Sequence, residues 1–270
     1  MANPLLRILR REGRAFAVAL GLLTRFPVRV DGAVGPGLRG RALHWYPATG
    51  LAIGLALVIA AAILPGGLLS AALLSALWVA LTGALHLDGL ADCADAWVGG
   101  MGDRGRTLAI LKDPACGPMG VTAIALALLL KVAALATLLA APIPDWWWLA
   151  LIPVVARAVL PLAFIALPYV REAGMGTGLG AHAWRPGIAL ATALVVATCA
   201  LALPAPLLGL WLLVAGGVFA LWRRAMVTRL GGFTGDGAGA LVTLTEVALL
   251  VATGLWVSGP GVWGQGISTL

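Results

Sequence analysis

The stretch LLSAALLSALWVALTGALHLDGLADCAD, residues 68–95, decides how this chain is read. Residues 68–87 carry no acid, lysine or arginine and are apolar on every side, over the length a helix needs to cross a bilayer. Directly after them come Asp88, Asp92 and Asp95. A membrane-spanning helix therefore delivers a dense acidic patch to one membrane surface.

Six further segments have the same apolar character: 47–64, 120–141, 146–169, 187–203, 206–222 and 238–257. Barrel strands would alternate polar and apolar residues, and these runs do not. The expected fold is an all-α polytopic membrane bundle of about seven transmembrane helices. An N-terminal helix through Leu23, flanked by arginines, lies at the interface or re-enters it. The whole chain, 1–270, reads as a single membrane-embedded domain.

Composition agrees. Hydrophobic residues make up 61% of the chain and charged ones 11%, with a mean hydropathy of +1.00, whereas soluble domains carry about 25% charged residues. The net charge of +7 does not point to nucleic acid, because its basic residues fall in short patches between apolar runs. That is the signature of cytoplasmic loops. Connections near 65–67, 141–145 and 204–205 hold one charge, Asp145; those at 24–46, 88–119, 170–186 and 223–237 hold nearly all the others. The expected placement has a cytoplasmic N-terminus and the polar loops facing the cytoplasm. Trp146, Trp147, Trp148, Trp256 and Trp263 would form an aromatic belt at the outer interface. No cleavable leader is expected, since no small-residue cleavage site follows 15–23. Cys93, Cys116 and Cys199 show no metal spacing and read as unpaired thiols.

The chemistry should lie in the polar loops. At 3.6 residues per turn, Asp88, Asp92 and Asp95 share one helix stripe. Three carboxylates so placed repel one another unless a cation joins them, and oxygen-only ligands favour Mg²⁺. A merely solvated acidic face is the plainer reading, though acids are scarce in this chain. Asp236, in Gly231-Gly232-Phe233-Thr234-Gly235-Asp236-Gly237, is a candidate fourth carboxylate. Arg104, Arg106 and Lys112 suit phosphate oxygens, although basic residues at a boundary also orient helices. The glycine run 174–180 could cradle a phosphate but is weakly specific. Lys131, Arg157 and Glu246 fall inside spans, where charges pair or line a cavity. They form a structural ion network or reach a polyanionic substrate from below. His44, His86 and His182 lie near boundaries. Interfacial packing is the commoner explanation for them, and His86, beside the acids, is a candidate proton acceptor.

Taken together these motifs resemble the cobalamin 5′-phosphate synthase (adenosylcobinamide-GDP ribazoletransferase) family. The resemblance runs through Thr24-Arg25-Phe26-Pro27-Val28, Pro47, Gly50, Gly54 and the string His86–Asp95. It continues with Arg106, Lys112-Asp113, Gly117, Gly120, Lys131, Arg157 and Gly176, then Gly231-Gly232-x-Thr234-Gly235-Asp236-x-x-Gly239-Ala240 and Glu246. The HLDGLADxxD and GGxTGD strings together are specific. The chain departs from the family at Pro114-Ala115-Cys116, where a small polar and then a basic residue are usual.

The resemblance implies an Mg²⁺-dependent phosphotransferase that joins adenosylcobinamide-GDP to α-ribazole (or its 5′-phosphate) and releases GMP. It implies metal binding by Asp88, Asp92 and Asp236, and by Asp95 either metal binding or acceptance of the hydroxyl proton, with His86 beside them. Arg104, Arg106, Lys112, Lys131 and Arg157 would hold phosphates, with Arg25, Asp113, Gly176 and Glu246 as further site candidates. Membrane lipid surrounds such an enzyme, no nucleic acid is expected as a partner, and the sequence leaves a homo-oligomer open. Two rivals fit less well. CDP-alcohol phosphotransferases place Arg where this chain has Asp92, and their last acids are spaced more widely. A transporter would be expected to show repeated halves, which are not evident.

Overall fold

The computed structural model describes residues 4–141, 147–171 and 174–259. Among these described residues eleven α-helices follow in order: α1 (Pro4–Leu23), α2 (Pro36–Ala42), α3 (Tyr46–Ile63), α4 (Leu68–Thr82), α5 (Leu85–Gly99), α6 (Arg104–Ile110), α7 (Pro118–Leu139), α8 (Leu151–Ala166), α9 (Arg185–Ala202), α10 (Ala205–Leu230) and α11 (Gly235–Ser258). Short 3₁₀ turns, Leu43–Trp45 and Trp147–Ala150, lead into α3 and α8. Six helical segments are long and apolar enough to cross a membrane, and the α4–α5 pair would make a seventh. The chain is thus an all-α, multi-pass membrane protein, and α1 is the separate amphipathic helix expected, exposing Leu5, Leu6, Ile8 and Leu9.

Three element boundaries differ from the sequence expectation. The apolar run 68–87 is not one helix. It breaks at Gly83 and Ala84, both left-handed (φ +61° and +58°), and α5 leaves α4 at 90°. Glycine adopts that conformation freely, whereas alanine does so at a cost of about 1–2 kcal/mol. The break is strapped from outside. The Arg25 N–H donates to the Leu81 carbonyl at 2.7 Å, and the Arg25 side chain lies where a Cβ on Gly83 would sit. The acids therefore belong to a helix turned away from the span rather than to the span's own end. Second, α10 runs on past residue 222 to Leu230, because Arg223, Arg224 and Arg229 are good helix formers; apolar length measures lipid contact, not helix length. Third, α11 starts at Gly235, so Asp236 stands in its first turn rather than in a loop.

The bundle has two apolar cores. One, at the end bearing the polar loops, gathers Leu43, Tyr46, Phe164, Trp222 and Phe233. The other gathers Ile53, Leu57, Trp78, Leu135, Trp211 and Leu249. Trp148, expected in an aromatic belt, is instead buried in this second core, and Trp256 packs against it. Trp146, Trp263 and the side chain of Trp147 lie outside the described residues. Cys93, Cys116 and Cys199 are free thiols, as expected.

Candidate active site

Asp236 is built by the turn before α11. Thr234 caps that helix, its hydroxyl accepting the Gly237 N–H at 3.1 Å. This is the side-chain cap expected of Ser or Thr at that position. The turn is fixed by an isolated parallel β-bridge between Tyr169 and Phe233. The Val170 N–H donates to the Phe233 carbonyl at 2.9 Å, and the Phe233 N–H to the Pro168 carbonyl at 3.0 Å. The same bridge sets Arg171, whose Nη1 lies 3.5 Å from Asp236 Oδ2 and whose Nη2 donates to the Leu111 carbonyl at 2.8 Å.

Helix α5 packs lengthwise on α11, with Gly89 against the Asp236 backbone and Gly239 against the His86 backbone. A side chain at either glycine would push the helices apart, so these two positions hold the acids of 88–95 beside Asp236. The seam opens into a cavity of about 140 Å³ lined by His86, Asp88, Asp236, Arg171, Tyr169 and Gly176 among others. Residues 148 apart in sequence thus share one cavity wall.

Asp92 lies on α5 beyond the span. Partial burial, joined by the negative charges of Asp88, Asp236 and Asp95, pushes its carboxyl up to about 6 against the pull of Arg171. This is the mark of a carboxylate cluster short of positive charge. Among the described residues no three His, Cys, Asp or Glu side chains converge closely enough to hold an ion unaided. The donor set still suits Mg²⁺, which commonly takes one or two carboxylates and completes its shell with water and substrate phosphate.

The other sequence candidates separate into distinct places. Asp95 has both oxygens engaged: Oδ2 accepts the Gly117 N–H at 2.7 Å and Oδ1 the Gly120 N–H at 2.9 Å. From α5 it caps the start of α7, and Gly117 and Gly120 lack side chains where its carboxylate sits. Arg104 donates to the Leu230 carbonyl at 2.9 Å, closing the end of α10. Arg106 and Lys112 are exposed and do not line the cavity, while Asp113 accepts the Ala115 N–H in a turn. Gly176 is pressed against the Tyr169 ring, which accounts for its missing side chain.

Lys131 and Arg157 are buried below the cavity, 3% and 0% exposed, and both donate to Glu246, at 2.5 and 2.6 Å. Trp78 Nε1 adds a third donor to Glu246 at 3.2 Å, and Lys131 Nζ stands 4.1 Å from the Trp78 ring centre. His86 joins cavity and triad: it is 5% exposed, and neither ring nitrogen has a protein partner. Sequence reasoning missed Tyr169 and Arg171. Their signal was position, directly after the α8 span and before the glycine run.

A model of the family described as cobalamin-5-phosphate synthase matches residues 15–254. The chain belongs to that family. It is 51% identical over 242 residues to the adenosylcobinamide-GDP ribazoletransferase of Stutzerimonas stutzeri, covering 89% of this chain and 97% of the relative. It is 52% identical over 255 residues to the protein of the same name from Pseudomonas paraeruginosa, covering 92% and 100%. The protein of that name from Pseudomonas entomophila is 48% identical over 245 residues, covering 90% and 99%. No solved structure matches the chain. Membership in the cobalamin-5-phosphate synthase family makes the protein a membrane-embedded transferase of cobalamin biosynthesis, and the α5–α11 seam carries both strings by which the family is recognised.

Proposed function

We propose that the chain transfers the adenosylcobinamide phosphoryl group of adenosylcobinamide-GDP to a hydroxyl of α-ribazole or its 5′-phosphate. The products are adenosylcobalamin or its 5′-phosphate, and GMP. The hydroxyl oxygen bonds to the cobinamide-linked phosphorus, the bridge to GMP breaks, and the hydroxyl proton passes to the protein. The observation that carries this reading is the shared cavity of Asp88, Asp236, Arg171 and His86, with Asp92 alongside.

Asp88 and Asp236 in its wall, with Asp92 alongside, would share the holding of Mg²⁺ with water and substrate phosphate, and the ion would supply charge neutralisation on the diphosphate and the leaving GMP. The Arg171 guanidinium, anchored on the Leu111 carbonyl, presents its fork to phosphate oxygens. His86 lies in the wall above the Lys131 and Arg157 cations, with ring nitrogens that have no partner among the described residues, and is placed to hydrogen-bond the substrate. The buried Lys131–Glu246–Arg157 triad sits beneath with one excess positive charge and favours an anionic substrate above it without touching it. The positive-inside distribution of loop charges supports a site on the cytoplasmic face, and the family an enzyme of the bacterial inner membrane.

Purified protein in detergent, given Mg²⁺ and both nucleotide substrates, should release GMP in step with corrinoid product. Asp88→Asn should lower that rate by ~10²-fold or more, in line with losing several kcal/mol of charge stabilisation. Absence of GMP from the parent protein would overturn the reaction. Full Mg²⁺-dependent activity in Asp88→Asn would overturn the metal assignment alone.

A further inference from the structure

On the far side of α1 from the cavity lies a second, larger recess of about 570 Å³ between α1, α3, α8 and α9. Its walls are apolar, with Leu51, Leu151, Val154, Leu190, Ala191 and Leu194. It exists because α9 stands off the bundle, burying only Gly187, Ile188 and Cys199. The mouth of the recess is polar. Glu12 accepts from Arg41, His44 or its tautomer and Trp45, and Arg41 lies 4.2 Å over the Trp184 ring. Those hydrogen bonds outweigh the burial that would raise the Glu12 carboxyl, and they hold it below its ordinary value. His44 Nδ1 is buried there with no partner.

We infer that this recess binds one anionic phospholipid, with acyl chain in the groove and phosphate at the rim. Charge selects the anionic head group. Ahead of Tyr46 the chain carries eight arginines against Glu12 and Asp31. Two of them, Arg7 and Arg11, are exposed on α1 directly beside Ile8 and Glu12, the residues with which that helix lines the groove. Basic residues near a membrane surface gain about 1 kcal/mol each from acidic lipid. The inference does not depend on the reaction proposed above, yet it bears on it. The other end of α1 places Leu22 and Leu23 in the wall of the carboxylate cavity, so a lipid that seats α1 also seats that wall.

The test uses full-length protein, delipidated in detergent and offered phosphatidylglycerol or phosphatidylcholine of identical chains, with lipid retention read by native mass spectrometry in the absence of substrate. One phosphatidylglycerol should be retained with ~10-fold preference, the effect of one to two such charge contacts. Ala191→Trp, which fills the groove, should abolish retention. Arg7→Gln/Arg11→Gln should bring the two lipids to parity, and millimolar inorganic phosphate should displace neither. Equal retention of both lipids by the parent, or undiminished retention in Ala191→Trp, would overturn the inference. Because retention is scored without turnover, its failure stays distinct from any failure of the transfer reaction.

Discussion

Helix α11 carries two charged sites, Asp236 in its first turn and Glu246 ten residues deeper, roughly 15 Å along the axis. They solve the problem of a carboxylate near lipid in opposite ways. Glu246 is 2% exposed and saturated, with Lys131, Arg157 and Trp78 all donating to it. Asp236 shares its cavity with Asp88, lies near Asp92, and has Arg171 as its one basic partner in the described structure. The deep site has more positive than negative charge, and the shallow one the reverse. The deep carboxylate has its oxygens fully engaged, and the donors left over there are Arg157 Nε and Nη2, without a partner among the described residues; the shallow carboxylates keep unspent capacity for a cation. That contrast marks the shallow cluster as the reactive one.

The contrast can be broken most forcefully at the deep site. Glu246→Gln leaves two buried cations facing each other and should cost about 3–5 kcal/mol, read as a large drop in thermal stability in detergent. Lys131→Met leaves the Glu246–Arg157 pair intact and should cost far less; equal damage would show that the triad is not held as described. At the shallow site the sign reverses. Asp92→Asn should lower transfer by ~10²-fold while leaving thermal stability unchanged or slightly higher, because it relieves like-charge repulsion. Equal losses of stability and activity would erase the distinction.

A smaller effect follows from pH. With its carboxyl near 6 in the metal-free protein, Asp92 takes up a proton as the pH falls through that value. Mg²⁺ affinity should then weaken by about tenfold between pH 7 and 5, measurable by calorimetric titration and absent in Asp92→Asn. The smallest effect is expected at Asp95. Asp95→Asn weakens two hydrogen bonds to the start of α7 and should cost about 1 kcal/mol of stability, with transfer reduced only severalfold. A loss matching that of Asp92→Asn would place Asp95 among the metal ligands instead.

Much of this was legible in the sequence. Apolar run lengths located the spans, and the scarcity of acids singled out residues 88–95 and Asp236. Pairing of Lys131, Arg157 and Glu246 could be anticipated because charges in lipid must find partners. What escaped was set by tertiary contact. The Gly83–Ala84 break is invisible to a hydropathy average, since both residues are as apolar as their neighbours. The helical stripe places Asp95 with Asp88 and Asp92, but only the fold brings Gly117 and Gly120 up to it. Arg171 gave no motif, and its role arises from a bridge between two loops that are far apart in the chain. That Arg104 closes the end of α10 was not legible, because a basic residue in a loop looks alike whether it faces solvent or caps a helix.

That bridge has a kinetic consequence. Tyr169 and Phe233 are joined by two backbone hydrogen bonds and by their rings, which meet edge to face at 5.5 Å, and the segments they tie carry Arg171 on one side and the turn into Asp236 on the other. Opening the bridge releases both loops in a single event, so the cation and the acid cannot come apart independently. The lifetime of the assembled cavity is then governed by one local opening rate, and whatever binds across Arg171 and Asp236 slows that rate by holding both loops together.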